Sequence, residues 1–119
     1  MILSVYHNPR CRKSREAINF LKENNIQHTQ VLYMKNGISK KEIESIIKKL
    51  KIKPKSLLRT QEKIWKELYK NKDIGKKELI DILCEHPHLI ERPIIVDQDS
   101  GVIGRQIETL KSFIENSKS

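Results

Sequence analysis

Residues 2–15 read Ile2-Leu3-Ser4-Val5-Tyr6-His7-Asn8-Pro9-Arg10-Cys11-Arg12-Lys13-Ser14-Arg15. The run Ile2 to Tyr6 is strand-like, His7-Asn8-Pro9 is a turn, and the residues from Cys11 onward open an amphipathic helix. Cys11 thereby stands at a helix N-terminus with Arg10, Arg12, Lys13 and Arg15 around it. Orphan N–H groups and the helix dipole favour negative charge at such a place. With nearby cations they lower a cysteine pKa from about 8.5 to roughly 3.5–7.5, which yields the nucleophilic thiolate.

Working outward, Ala17, Ile18 and Leu21 mark one face of that helix, and Asn24-Asn25 stops it. Residues Ile26 to Tyr33 read as a second strand. Strand, helix and strand in this order form a βαβ unit with a parallel pair, which sets an α/β class. Asn36-Gly37 is a turn, and Ser39-Lys40-Lys41-Glu42 has the form of a capping box ahead of Ile43, Ile46, Ile47 and Leu50. From there to Cys84 the pattern is helical, punctuated by Pro54 and Gly75, with Trp65, Leu68, Leu79, Ile80 and Leu83 as apolar positions. Trp65 and Tyr69 read as core of this insertion, which spans about residues 38–86.

His86-Pro87 ends the insertion, and Arg92-Pro93-Ile94-Ile95-Val96 begins an extended run. Asp97 to Gly101 is rich in turn formers, so Val102-Ile103-Gly104 returns as an antiparallel partner. A last helix carries Ile107, Leu110, Phe113 and Ile114, and the polar tail Asn116–Ser119 is expected to fray. The order β-α-β, helical insert, β-β-α is that of a thioredoxin-like fold: an α/β chain, residues 1–119 as one domain, with a mixed four-stranded sheet and an inserted helical subdomain. In that fold a redox cysteine follows the first strand, where Cys11 is. A proline opens the third strand beside it, where Pro93 is, and a cis bond there would bring the Arg92 backbone to the thiol.

Composition narrows the chemistry. The 119 residues suit a single core, no apolar run reaches membrane-spanning length, and the start lacks a signal-peptide layout, so a cytoplasmic protein is expected. Two cysteines do not make a disulfide scaffold. Cys84 reads as an inert, packed thiol at the end of an apolar helix. No metal is expected, because there is no CxxC pair and His7, His28, His86 and His88 form no ligand spacing with either thiol.

The chain has 24 Lys and Arg against 15 Asp and Glu, which calls for an anionic partner. Lysines interleaved with Glu, as in Lys63-Ile64-Trp65-Lys66-Glu67, read as solvated helix faces, and no nucleic-acid motif or Gly-rich phosphate loop accompanies them. Direct nucleic-acid binding is therefore not expected. The arginines are fewer: Arg10, Arg12 and Arg15 beside Cys11, and Arg59, Arg92 and Arg105 at the edges of elements. A guanidinium fork suits a tetrahedral oxyanion better than a lysine point charge does.

In Cys11-Arg12-Lys13-Ser14 a serine stands where a dithiol oxidoreductase has its second cysteine. A single thiol needs an external thiol to complete a redox cycle. Ser14 either donates a hydrogen bond to the thiolate or caps the helix. A protonated His7 would also favour the thiolate, and His7 reads equally as a turn residue that satisfies backbone groups.

Tyr6-His7-Asn8-Pro9-Arg10-Cys11 with Ser14-Arg15, Leu57-Leu58-Arg59, His86-Pro87 with Leu89-Ile90-Glu91-Arg92-Pro93-Ile94, and Gly104-Arg105 together resemble the glutaredoxin-coupled arsenate reductase family, ArsC. The resemblance runs over essentially the whole chain. It implies a catalytic group of Cys11, His7 and Ser14, with Cys11 attacking arsenate and His7 helping to activate the thiol. It also implies Arg59, Arg92 and Arg105 as oxyanion ligands, glutathione and glutaredoxin as external reductants, no bound cofactor, and a monomer. Two positions depart from the family pattern. Arg12 follows the cysteine where many members have a small residue, and Gln106 follows the last arginine where many have proline. The alternatives are an ArsC-like protein with another anionic or thiol substrate, or a Spx-like redox regulator that binds RNA polymerase. The Spx-like proteins share the fold and the Arg-Pro-Ile strand start but typically carry CxxC and lack the late Gly-Arg, so Ser14 and Arg105 favour the reductase.

Overall fold

Strand β1 is Leu3–Tyr6, and its alternation puts Leu3 and Val5 on a buried face in the computed structural model, which describes residues 2–69 and 71–118. Helix α1, Arg12–Glu23, follows and buries Ser14, Ala17, Ile18 and Leu21. That spacing of three, one and three residues is one helical face. Asn24 closes the helix and Asn25 takes a left-handed φ of 55°, a conformation that asparagine tolerates.

Strand β2, His28–Val31, runs parallel to β1, with Leu3 opposite His28 and Tyr6 opposite Val31. It is shorter than the expected Ile26–Tyr33. A strand extends only as far as its partner, and β1 leaves the ladder at His7, whose N–H makes a last bond to the Val31 carbonyl. Ile26 instead folds back onto the Leu21 carbonyl, and Tyr33–Asn36 winds into a single helical turn, α2, with Tyr33 buried.

Strand β3, Ile94–Val96, is antiparallel to β1 and buried at every residue, as a central strand covered on both faces must be. It pairs antiparallel with β4, Gly101–Ile103, and the sheet order is β2-β1-β3-β4. Asp97 Oδ1 accepts from the N–H groups of Asp99 and Ser100 and so shapes the connecting turn. Leu110 and Ile114 of the C-terminal helix, Ile107–Lys118, join Leu3, Val5, Ala17, Ile18, Leu21 and Ile95 in one core. Burying each of the leucine, isoleucine and valine side chains stabilises the fold by about 1.5–3 kcal/mol before chain entropy is subtracted. The helix runs through Asn116 to Lys118, where fraying was expected, while Ser119 lies outside the described residues.

The chain separates into two compact units: Met1–Asn36 with Arg92–Ser119, and Gly37–Glu91. The first holds the mixed α/β sheet that the element order predicts. The second begins at Gly37, whose φ of 82° only glycine adopts readily. Helix α3, Lys40–Leu50, starts with the full capping box between Ser39 and Glu42, and it buries Ile43, Ile46 and Ile47. A 3-10 turn at Pro54–Leu57, helix α4 at Lys63–Leu68, helix α5 at Lys76–Glu85 and a second 3-10 turn at Pro87–Leu89 complete the unit. The C-terminal helix of the chain is therefore α6.

Helix α5 contributes Leu79, Ile80, Ile82 and Leu83 to the core of the second unit and packs against α3 and both 3-10 turns. Leu58 pairs with Ile90 in an isolated antiparallel bridge, so this region is not helical throughout. The aromatic residues of α4 also depart from expectation. Trp65 and Tyr69 stack on each other only half-buried, Leu68 is 47% exposed, and no residue of α4 is buried. Six residues that include Lys63, Lys66 and Glu67 leave too narrow an apolar stripe to enter a core.

Candidate active site

Tyr6 ends β1, Ile94 opens β3 opposite it, and Ile103 ends β4 opposite Ile94. The loop that leaves Tyr6, Arg92 just before Ile94, and Arg105 just after Ile103 are thereby delivered to one end of the sheet by register alone. The Arg92–Pro93 bond is cis.

The loop from His7 to Cys11 is held by its own polar groups. Asn8 Oδ1 accepts from the Arg10 N–H at 3.1 Å, and the Asn8 carbonyl accepts from the Cys11 N–H at 2.9 Å. Arg15 reaches back from α1 to the Pro9 carbonyl at 2.9 Å. Asn8 is buried and joins more of this loop than any residue singled out from sequence. An Asn-Pro pair ahead of a helix start is the signal that points to it.

Cys11 is the N-cap residue of α1 and is half-buried. Burial works against its ionisation, yet the N–H of Ser14, the guanidinium of Arg92 and the N–H of Lys13 outweigh it, and the thiol pKa falls below the ordinary value. The helix-start amides are those the sequence indicates. The cation that reaches the sulfur is Arg92, 81 positions later in the same compact unit, and not one of the arginines adjacent in sequence. Arg12 is 82% exposed and pairs with Glu16, as does Lys13, while Arg15 is spent on the Pro9 carbonyl.

Ser14 is completely buried. Its Oγ lies 2.6 Å from His7 Nδ1 and accepts from the Asn8 N–H at 3.0 Å. It neither caps the helix, a position held by Cys11, nor has its hydroxyl free for the sulfur; its backbone N–H is what reaches the thiol. His7 is buried too. Burial first, then the charges of Arg15, Lys22 and His28, push its pKa below the ordinary value, so the ring is neutral at pH 7 and braces Ser14 without bringing positive charge to Cys11.

Arg105 is half-buried, and its Nη1 is a buried donor with no hydrogen-bond partner among the described residues. An unsatisfied buried donor is rare in native proteins, and an incoming acceptor would satisfy it. Arg59 belongs to the Gly37–Glu91 unit. There its N–H bonds the Leu89 carbonyl at 2.7 Å and its Nε stands 3.2 Å from Glu62 Oε1, an ion pair whose angle leaves the Nε–H without a hydrogen bond. Both contacts hold Arg59 within its own unit.

A cavity of about 370 Å³ lies on the β2 side of the loop, lined by His7, Asn8, Pro9, Arg10, Leu32, Met34 and Lys35. Cys84 is a free, half-buried thiol on α5, and burial raises its pKa. Among the described residues no cluster of His, Cys, Asp and Glu is placed to hold a metal ion, and no helix is long and apolar enough to cross a membrane.

The model of the ArsC family matches residues 6–113. An arsenate reductase of Haemophilus influenzae is 40% identical over 116 residues, covering 96% of this chain and all of that protein. Among solved structures, an arsenate reductase from Vibrio cholerae superposes with a TM-score of 0.87 at 31% identity, covering 93% of this chain and 97% of that one. A protein described as a putative arsenate reductase, from Yersinia pestis, gives 0.86 at 32%, covering 92% and 98%.

Proposed function

The chain belongs to the ArsC family, and on that premise we propose that it reduces arsenate to arsenite through a covalent intermediate on Cys11, with glutathione and glutaredoxin supplying the electrons. The observation that carries this reading is the convergence on one sulfur of the Arg92 guanidinium and the first amides of α1. Those donors stabilise a thiolate, and the same positive potential draws an oxyanion to it. A thiolate and a doubly charged anion repel each other unless fixed donors offset the charge, which is the usual largest contribution to such catalysis.

In the proposed reaction the Cys11 sulfur forms a bond to arsenic as one As–O bond breaks and that oxygen leaves as water. Arsenic is still As(V) at this stage. Glutathione then replaces a second oxygen. The glutaredoxin thiolate attacks the glutathione sulfur, forming a mixed disulfide, and the As–S bonding pair remains on arsenic, now As(III). Hydrolysis of the Cys11–As bond releases arsenite and restores the thiol. Arg92 and Arg105 hold the oxyanion, His7 and Ser14 keep the loop in shape, and serine at position 14 accords with an outside reductant. Arg59 enters this scheme through the resemblance alone, so its contribution is tested by the effect of Arg59→Lys on KM for arsenate.

The test is arsenate-dependent NADPH oxidation coupled through glutathione, glutaredoxin and glutathione reductase. Wild type and Cys84→Ser turn over, Cys11→Ser does not, and omitting glutaredoxin stops the cycle. No wild-type turnover, or turnover that survives Cys11→Ser, overturns the mechanism; turnover without glutaredoxin overturns the assignment of the reductant.

A further inference from the structure

Gly104 is buried at the end of β4, one residue before Arg105. Its N–H donates to the Pro93 carbonyl at 2.8 Å. That bond ties the residue preceding Arg105 to the residue following Arg92, just beyond the Ile94–Ile103 pair that ends the ladder. The two arginines therefore leave the sheet on either side of one hydrogen bond.

What the site demands of residue 104 is space. Its φ is outside the left-handed region, so other residues tolerate the backbone conformation. A Cβ there would stand 2.5 Å from Ile95 Cδ1 and 3.9 Å from Leu110 Cβ. Ile95 is wholly buried in the core with Leu3, Val5, Leu21 and Leu110, so its terminal methyl swings aside only by displacing close-packed neighbours. The other relief is at the end of β4, where Ile103 and Arg105 are partly exposed; lifting it opens the Gly104–Pro93 bond. Arg105 moves with it, carrying the buried Nη1 that has no acceptor among the described residues.

We propose that Gly104 is a positioning residue for the oxyanion site: by lying flat against Ile95 and bonding Pro93, it fixes Arg105 relative to Arg92. The inference rests on the oxyanion reading of Cys11, Arg92 and Arg105 given above. Gly104 touches no substrate; it acts through the guanidinium that follows it. The clash has one identifiable atom, Ile95 Cδ1, and valine lacks that atom. Ile95→Val accordingly restores room for an alanine at 104.

The experiment measures protection of Cys11 from iodoacetamide by inorganic arsenate in wild type, Gly104→Ala, Ile95→Val and the double variant, without any reductant. Removing one charge-assisted contact from a bound anion corresponds to about a tenfold loss of affinity. Gly104→Ala is expected to raise the half-protecting arsenate concentration by about that factor, and the double variant to return within about threefold of Ile95→Val. The pH midpoint of Cys11 alkylation without arsenate is expected to be unchanged in Gly104→Ala, because Arg92 and the α1 amides remain in place; general loosening of the fold would move it. Protection of wild type that survives in Gly104→Ala overturns the inference alone. Failure of the double variant to recover, or a shifted alkylation midpoint in Gly104→Ala, overturns it as well. Should Gly104→Ala not fold, weak protection in a folded double variant does the same. Absence of protection in wild type overturns the oxyanion reading and the inference with it.

Discussion

The Ser14 hydroxyl meets the His7 ring nitrogen at 2.6 Å in the interior, and the same oxygen takes the Asn8 N–H. One side chain thus holds the end of β1 and the start of α1 together around the loop that carries Cys11. Ser14→Ala leaves both of its partners buried without a bond. Stranding a buried polar group costs about 1–3 kcal/mol, so a denaturation midpoint corresponding to a loss in that range is expected at pH 7. A loss under about 0.5 kcal/mol would show that the hydroxyl does not brace the loop.

Arg92 and Cys11 give a titration that reads the site without substrate. The guanidinium favours the thiolate against the opposing effect of burial. Arg92→Gln is expected to move the midpoint of iodoacetamide reactivity against pH upward, whereas Arg12→Gln, altering an exposed side chain paired with Glu16, leaves it in place. Equal shifts in the two variants would mean that net charge alone sets the thiol.

His7 makes stability depend on pH in a direction that can be stated in advance. Its pKa is lowered in the folded protein from the ordinary 6.5. Between those two values the unfolded chain binds a proton that the folded chain does not, so stability rises with pH through that window and falls as the solution is acidified below about 6.5. Melting temperatures taken from pH 7.5 downward are expected to fall more steeply for wild type than for His7→Asn, which retains a side-chain acceptor for Ser14. Parallel curves would exclude His7 as the source of the dependence.

Lys51, which closes α3, has a left-handed φ of 55°. A lysine Cβ is disfavoured there, and glycine is the common solution at a helix C-terminus. Lys51→Gly is expected to stabilise the protein by about 0.5–1 kcal/mol, relief of strain exceeding the added freedom of the unfolded chain. Chemical denaturation measures it, and a destabilised variant would mean that the lysine stem packs against its neighbours.

Features set by neighbouring residues were legible in the sequence. The face of α1, the box formed by Ser39 and Glu42, and the β3–β4 hairpin around Asp97–Gly101 all follow from spacing and local hydrogen-bonding capacity. Features set by partners distant in the chain were not. The length of β2 depends on where β1 turns away at His7, and the fate of Trp65 depends on how little apolar surface α4 presents. At the site, a thiol at a helix start, its pKa lowered, was legible in Cys11. The hydroxyl of Ser14 was not, because both readings of it looked toward the sulfur or the helix end, while the folded loop turns it toward His7 and Asn8. Gly104 was read as a strand residue and as part of the Gly104-Arg105 motif, but its packing was not legible, since the atom close to it belongs to Ile95 on the neighbouring strand.

The burial of Ser14 also bears on how such a chain changes over evolutionary time. One codon change to cysteine at position 14 would create a CxxC sequence and, on paper, a self-sufficient dithiol. The larger and weaker-bonding sulfur would have to occupy a sealed space shaped for a hydroxyl, and His7 and Asn8 would lose their strong partner. In the proposed reaction, dependence on another molecule's thiol is then built into the loop, because the Ser14 oxygen that a sulfur would replace is the shared partner of His7 and Asn8.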